Sequence, residues 1–232
     1  MRAIEFRQFG DPSQLNLVDR PDPHITASTA IVRMEAASVN PSDVKNVAGR
    51  MSQTTPPRVP GRDYSGVVVE GPAEWMGAPV WGSGGDVGFT RDGTHSELIE
   101  VPIASLVRKP DALTHEQAAS VGVTFLTAWI GVVDYARLSK GDTLAVIGAG
   151  GGVGSAAIQL AKYVGARAIA ISRGPLPAES PAAKLADVAV ESTEGITGIE
   201  ADVVLDTVGG AMIETALKIA GASRPRHRDH RR

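Results

Sequence analysis

Seven residues, Gly148-Ala149-Gly150-Gly151-Gly152-Val153-Gly154, constrain the fold of this chain more than any other stretch. Just before them stands Leu144-Ala145-Val146-Ile147, a short continuous apolar run of the kind that forms a strand buried on both faces. Just after them Val153, Ala156, Ala157, Leu160, Ala161 and Val164 recur at helical spacing and give one apolar face, and Gly165 ends the helix. Ala168-Ile169-Ala170-Ile171 follows as the next strand, residues 201–206 as a later one and residues 213–220 as a further helix. Strand and helix in alternation predict a parallel α/β sheet.

Glycines at such a turn let the backbone bend tightly and come close to a pyrophosphate, while the free N–H groups and dipole of the following helix stabilise negative charge. The context predicts a dinucleotide site on Gly148, Gly150, Gly151, Gly152, Val153 and Gly154. The literal Gly-x-Gly-x-x-Gly spacing is not met, because the register ending at Gly154 begins at Ala149; Gly148, Gly151 and Gly154 are spaced three apart instead. The alternative is a plain flexible turn between strand and helix. An NAD site places a carboxylate about 20 positions on, at the end of the second strand, to bind a ribose hydroxyl. Here that strand runs into Ser172-Arg173. A 2′-phosphate meets no carboxylate there and has a guanidinium to pair with, which points to NADPH. The alternative is that Arg173 is a solvated loop arginine.

The first 110 residues have a different texture. Short β-branched segments, residues 30–35 and 65–70 among them, are broken by Pro- and Gly-rich loops at residues 56–61 and 82–86, and the one good early helix candidate follows Pro41-Ser42-Asp43. At Thr114, with Gln117 three positions on, the capping-box spacing opens a helix. The expected organisation is a mostly β domain over residues 1–114, a parallel α/β domain over 115–220 and a basic tail over 221–232. The 232 residues contain no cysteine, which excludes disulfides, thiolate nucleophiles and thiolate zinc sites. A net charge of −3 offers no whole-molecule attraction to nucleic acid or to an anionic membrane. Charges within the first seven residues argue against a signal peptide, and residues 118–133 are too short an apolar run to span a bilayer, so a soluble cytoplasmic protein is expected.

Five segments carry a resemblance: residues 37–43 (Ala-Ser-Val-Asn-Pro-Ser-Asp), 60–66 (Pro-Gly-Arg-Asp-Tyr-Ser-Gly), 124–129 (Thr-Phe-Leu-Thr-Ala-Trp), the glycine cluster, and Asp206-Thr207-Val208-Gly209-Gly210. In them, and over residues 1–220, the chain resembles the medium-chain dehydrogenase/reductase superfamily, and within it the zinc-independent quinone oxidoreductase and enoyl reductase group. The resemblance implies a GroES-like, mostly β catalytic domain followed by a Rossmann doubly wound parallel sheet, with the active site in the cleft between them. Zinc-dependent members hold their metal through two cysteines and a histidine, and Asn40, Arg62 and Val123 align with those positions. No zinc is therefore expected, and likeness to zinc-type alcohol dehydrogenases describes ancestry rather than chemistry.

What the resemblance implies instead is hydride transfer from NADPH to a quinone or an α,β-unsaturated carbonyl. Asn40 and Thr127 match positions that line the nicotinamide pocket, and Val208 belongs to a cofactor-side motif. Asp43 and Lys45 follow Asn40, and a lysine near the cleft could stabilise the enolate oxygen formed after hydride transfer. The alternatives are that Asp43 caps the short helix and that Lys45 is solvated. Gly49-Arg50-Met51 stand where the enoyl reductase branch has a tyrosine, which disfavours an acyl thioester substrate. Tyr64 and His95 are polar rings near the same segments, more often structural than catalytic.

The last twelve residues carry five arginines and one aspartate, net +4, leaving −7 on the rest, and their composition favours disorder. A sheet of this type has about six strands, and the segment after Ala220 does not continue it, so the Rossmann half is expected to be incomplete. A frameshifted or truncated reading frame is the favoured explanation, and a genuine basic tail for nucleic acid or anionic lipid is the alternative. The family's dimers use mostly the segment that has no counterpart here. The rival to an active reductase is a catalytically inactive fragment that at most binds nucleotide or a partner.

Overall fold

Alternation of apolar and polar side chains builds the first part of the computed structural model, which describes residues 1–84, 86–191, 196 and 198–221. The chain divides into two compact units, Met1–Val123 and the residues from Thr124 on. In the first unit β1 (Arg2–Glu5) pairs antiparallel with β2 (Asn16–Asp19). Next come β3 (Thr29–Ala37), helix α1 (Pro41–Val47), β4 (Tyr64–Glu70), β5 (Pro79–Gly82), β6 (Leu98–Pro102) and β7 (Val107–Arg108). These five strands form an antiparallel sheet in the order β6-β3-β4-β5-β7, with Val32 opposite Val68 on one side and Ile99 on the other. Its buried face gathers Val32, Tyr64, Val68, Val80, Ile99 and Val101.

Helix α2 (His115–Ser120) opens on the expected capping box. Thr114 Oγ1 accepts from Gln117 N, and Gln117 Oε1 accepts from Thr114 N. The sequence places a new domain at residue 115, but the structure starts its second unit at Thr124. The physical reason is packing: α2 lies against β3, β4 and β5, with Ala118 and Ala119 buried, and His115 Nδ1 is 2.7 Å from Ser65 Oγ. Helix α3 (Gly122–Trp129) then runs into a wide π-type turn, Ile130–Tyr135. The apolar stretch 118–133 is thus divided among three short elements. No helix among the described residues is long and apolar enough to cross a membrane.

The second unit is the parallel structure that the glycine cluster predicts. Strand β8 (Thr143–Ile147), helix α4 (Gly152–Val164), β9 (Arg167–Ile171), helix α5 (Pro181–Leu185), β10 (Val188–Val190), β11 (Val203–Asp206) and helix α6 (Met212–Gly221) follow in turn. The strands lie in the order β10-β9-β8-β11, all parallel, which is the 3-2-1-4 order of a doubly wound sheet. The continuous apolar run of β8 is explained by the two faces it serves. Leu144 and Val146 cluster with Ala156, Ala157, Leu160 and Ala161 of α4, while Ala145 and Ile147 cluster with Ile219 of α6. The strand expected at 201–206 begins two residues later, and three-residue β10 and five-residue α5 carry no periodicity that would reveal them. Beyond β11 no further strand pairs among the described residues. Gly85, in the loop expected at 82–86, and residues 222–232 of the expected tail lie outside the described residues; Gly221 ends α6.

Leu144 is fully buried between β8 and α4, so Leu144→Ala is expected to cost about 2–5 kcal/mol of unfolding free energy. Urea denaturation checks this; a loss below 1 kcal/mol would contradict the packing of this face.

Candidate functional site

In the second unit the site begins with the turn after β8. Gly148 has φ +84°, and a Cβ there would stand 2.3 Å from Thr207 Oγ1. Gly154 brings α4 onto that turn: its Cβ would lie 2.4 Å from Gly148 O. Gly151, the N-cap of α4, is different, since the nearest atom to a Cβ there is Gly148 O at 3.4 Å. A side chain at Gly151 would thus meet less crowding than one at Gly148 or Gly154. The N–H groups of Gly152, Val153 and Gly154 belong to the first turn and have no intrahelical acceptor. With the helix dipole they can hold an anion.

A cavity of about 640 Å³ lies over this turn, lined by Gly148, Gly150, Gly151, Ser172, Arg173, Leu176, Thr207, Val208 and Met212 among others. At the end of β9, Ser172 Oγ donates to Gly174 O at 2.7 Å, and Arg173 projects exposed, with no side-chain partner among the described residues. The other wall is the turn after β11. Asp206 Oδ1 accepts from Val208 N at 2.8 Å and Gly209 N at 3.0 Å, and Thr207 Oγ1 donates to Ile147 O at 2.9 Å. That turn holds Val208, 62% exposed, at the rim. Thus Gly148, Gly150, Gly151, Ser172, Arg173 and Val208 share one cavity, at the C-terminal ends of adjacent parallel strands where doubly wound folds bind ligands. Thr207, Leu176 and Met212 are additions. Thr207 was legible as part of the 206–210 motif, but Leu176 and Met212 have no local pattern. Thr127 is exposed on α3.

In the first unit the expected residues gather around a carboxylate that sequence reasoning left out. Asp63, fully buried, accepts from Ser38 Oγ (2.7 Å) and Asn40 Nδ2 (2.8 Å) at Oδ2, and from Val123 N (2.9 Å) at Oδ1. Asn40 Nδ2 also donates to Ser38 Oγ at 3.0 Å. Asn40 precedes α1, and its backbone N–H donates to Asp43 Oδ2 at 2.7 Å, so Asp43 does cap the short helix. Lys45, two residues past Asp43, falls on the opposite, exposed face and has no side-chain partner among the described residues. The structure therefore joins Asn40 and Asp43 but leaves Lys45 apart from them. Arg62 turns its guanidinium over the Phe89 ring, 4.4 Å from the centroid.

Burial raises the Asp43 carboxyl above its ordinary range, with the nearby Asp63 charge adding to it, and the Asn40 N–H, His95 and the Arg62 guanidinium oppose the shift. Burial alone pushes the Tyr64 hydroxyl far up, and that oxygen has no hydrogen-bond partner among the described residues. His95 Nε2 donates to Ser38 O at 3.0 Å and braces the same loop. Among the described residues no three His, Asp or Glu side chains are grouped as metal ligands.

Residues 26–111 match the alcohol dehydrogenase GroES-like domain. A zinc-type alcohol dehydrogenase-like protein of Schizosaccharomyces pombe is 38% identical over 221 residues, covering 92% of this chain and 65% of that protein. The 2-methylene-furan-3-one reductase of Solanum lycopersicum is 32% identical over 238 residues, covering 94% of this chain and 59% of that protein. Among solved structures, a quinone oxidoreductase of Pseudomonas syringae pv. Tomato superposes with a TM-score of 0.83 at 27% identity, over 93% of this chain and 69% of that one. The chain spans less than two thirds of the length of these curated relatives.

The Asp43 shift has a consequence for stability. Folded Asp43 binds its proton more tightly than unfolded Asp43, so its stabilising contribution is full below the ordinary value of 3.8 and is lost as pH rises through the raised folded value. Asp43→Asn keeps an acceptor for the Asn40 N–H and removes the charge. Urea unfolding in steps above pH 3.8 is expected to show the stability difference moving in the variant's favour as pH rises; a pH-independent difference would contradict it.

Proposed function

The chain belongs to the medium-chain dehydrogenase/reductase superfamily, and from that premise we propose that it transfers hydride from NADPH to a quinone or an α,β-unsaturated carbonyl without zinc. The observation that carries the cofactor half of this reading is the cavity over Gly148–Gly151, open above Gly151 and flanked by an unpaired Arg173 with no carboxylate at the end of β9. The residues fit a dinucleotide. N–H groups of Gly152, Val153 and Gly154 hold the pyrophosphate, Ser172 and Arg173 meet the 2′-phosphate, and Thr207 and Val208 border the opposite wall. When bound, the dinucleotide supplies the hydride; the protein binds, orients and polarises.

Zinc does not fit the residues present. Of the three positions aligned with its ligands, the Asn40 amide nitrogen and the Val123 backbone N–H both donate to Asp63, and Arg62 is a cation. Substrates already electrophilic by conjugation suit a site without a Lewis acid. The name of the tomato relative, an enone reductase, supports that class. Asn40, its amide fixed by Asp63, and Thr127 orient the nicotinamide in this reading, and Asp43 fixes the turn that carries Asn40. Lys45, the cation expected for the enolate, stands on the exposed face of α1, which leaves that role to be filled.

Titration of the chain with NADPH and then NADH, following quenching of Trp75, Trp81 and Trp129, tests the reading. One charge-assisted pair predicts a preference for NADPH of about 10-fold or more, erased in Arg173→Ser. Equal affinities for the two nucleotides would overturn it. Binding without turnover of any quinone or enone would favour a chain that only holds nucleotide.

Gly151→Val is expected to lower NADPH affinity by at least about 10-fold at a stability cost of no more than about 2 kcal/mol, the range for losing a good N-cap residue, because the added side chain meets no close protein atom. Unchanged affinity would move the nucleotide away from this turn.

A further inference from the structure

We infer that Leu176 is the positioning residue for Arg173, a spacer that fixes how far the loop bearing the guanidinium stands from the glycine turn and so sets how strongly the site prefers a nucleotide with a 2′-phosphate. The inference rests on the NADPH reading above and lies wholly within the second unit.

The loop after β9 carries Arg173 and is tied down on both sides of it. Before Arg173, Ser172 N donates to Val190 O at 3.0 Å, at the end of β10, and Ser172 Oγ donates across the arginine to Gly174 O at 2.7 Å. After it, Leu176 stands between Pro175 and Pro177. Each proline fixes its own φ and restricts the residue before it to extended backbone, so Gly174 and Leu176 have little freedom. Leu176 is half-buried against the core cluster that α4 shares with β8 and β9. Its Cδ2 lies 3.2 Å from the place that a Cβ on Gly150 would take. The chain then enters α5, with Ser180 N donating to Pro177 O at 2.8 Å and Ala182 fully buried in the same core.

Arg173 itself is exposed and has no side-chain partner among the described residues, so no ion pair aims it. What places it is the backbone on either side. Ser172 fixes that backbone relative to the sheet, and Leu176 fixes it relative to the glycine turn through its seat on Gly150. A leucine has no polar atom with which to hold a phosphate, so its effect on the nucleotide's charge passes through Arg173.

The pyrophosphate and the 2′-phosphate of NADPH are joined through one ribose, which confines the distance between them. A cation kept at a matching distance from the glycine turn meets the 2′-phosphate without first being ordered. On a loose loop the same arginine has to be immobilised as the nucleotide binds, and that ordering subtracts from the affinity. NADH has no 2′-phosphate and gains nothing from the arrangement. Leu176 therefore sorts the two nucleotides by holding a distance.

The experiment is a titration of the full chain with NADPH and with NADH, following tryptophan quenching, in Leu176→Ala and Leu176→Met and in both on the Arg173→Ser background. The ratio of NADPH to NADH affinity is expected to fall about 3- to 10-fold in Leu176→Ala, the ordering cost of one long side chain, with NADH affinity little changed. Leu176→Met keeps the volume of the spacer and is expected to keep the ratio. On the Arg173→Ser background, Leu176→Ala should leave the ratio where it is. Leu176→Val, a smaller truncation, gives the same comparison should Leu176→Ala not fold. An unchanged ratio in the truncated variant, equal losses for NADPH and NADH, or the same fall in the ratio without Arg173 would each overturn the proposal. Equal affinities in wild type would reject the NADPH reading and the spacer with it, whereas a wild-type preference that survives truncation of Leu176 rejects the spacer alone.

Discussion

Contact between helix α4 and the turn after β8 is the constraint on which the second unit depends. Gly154 lets the first turn of α4 approach Gly148 O to within a distance that a Cβ would occupy, and Gly148 takes a backbone angle that only glycine adopts readily. With the helix seated there, Ala156, Ala157, Leu160 and Ala161 reach the face of β8 and β9. Packing and the floor of the cavity at Gly148–Gly151 are therefore set by one close approach, and the cavity walls are the neighbouring strand ends that the 3-2-1-4 order brings beside it.

The first unit is organised around the opposite kind of interaction. A fully buried carboxylate, Asp63, is satisfied by a hydroxyl and an amide from one loop, residues 38 and 40, and by a backbone N–H from a second segment, residue 123. A buried carboxylate with several donors is stable where an unpaired one is not, so these segments are held in mutual register. Asn40 and Val123 both feed Asp63, and the neighbouring Arg62 guanidinium rests on Phe89.

Local pattern made much of this legible. Strands β3, β4, β8 and β9 and helices α1, α2, α4 and α6 announce themselves through apolar periodicity, caps or terminating glycines. Elements of three to five residues do not, because β10 and α5 are too short to show a period. The packing of α2 on the sheet of the first unit has a physical cause too. Its capping box fixes where the helix starts, but the sheet it covers is decided by side chains some fifty residues away, such as Ser65 against His115. Asp63 escaped notice as the hub for the same reason, since its three partners are 25, 23 and 60 residues distant.

The sequence by itself determined the two kinds of architecture, the glycine turn, the lack of any thiolate, and the absence of a carboxylate at the end of the second parallel strand. Each of these is a property of neighbouring residues, and local backbone chemistry is enough to read it. Only the tertiary structure decided which polar side chains are consumed and which are left over. Asp43 is spent on a helix cap and Asn40 on Asp63, while Lys45 faces solvent and Arg62 is half-buried over the Phe89 ring. Whether a charge is satisfied depends on contacts across long separations in the chain, and no local pattern encodes them.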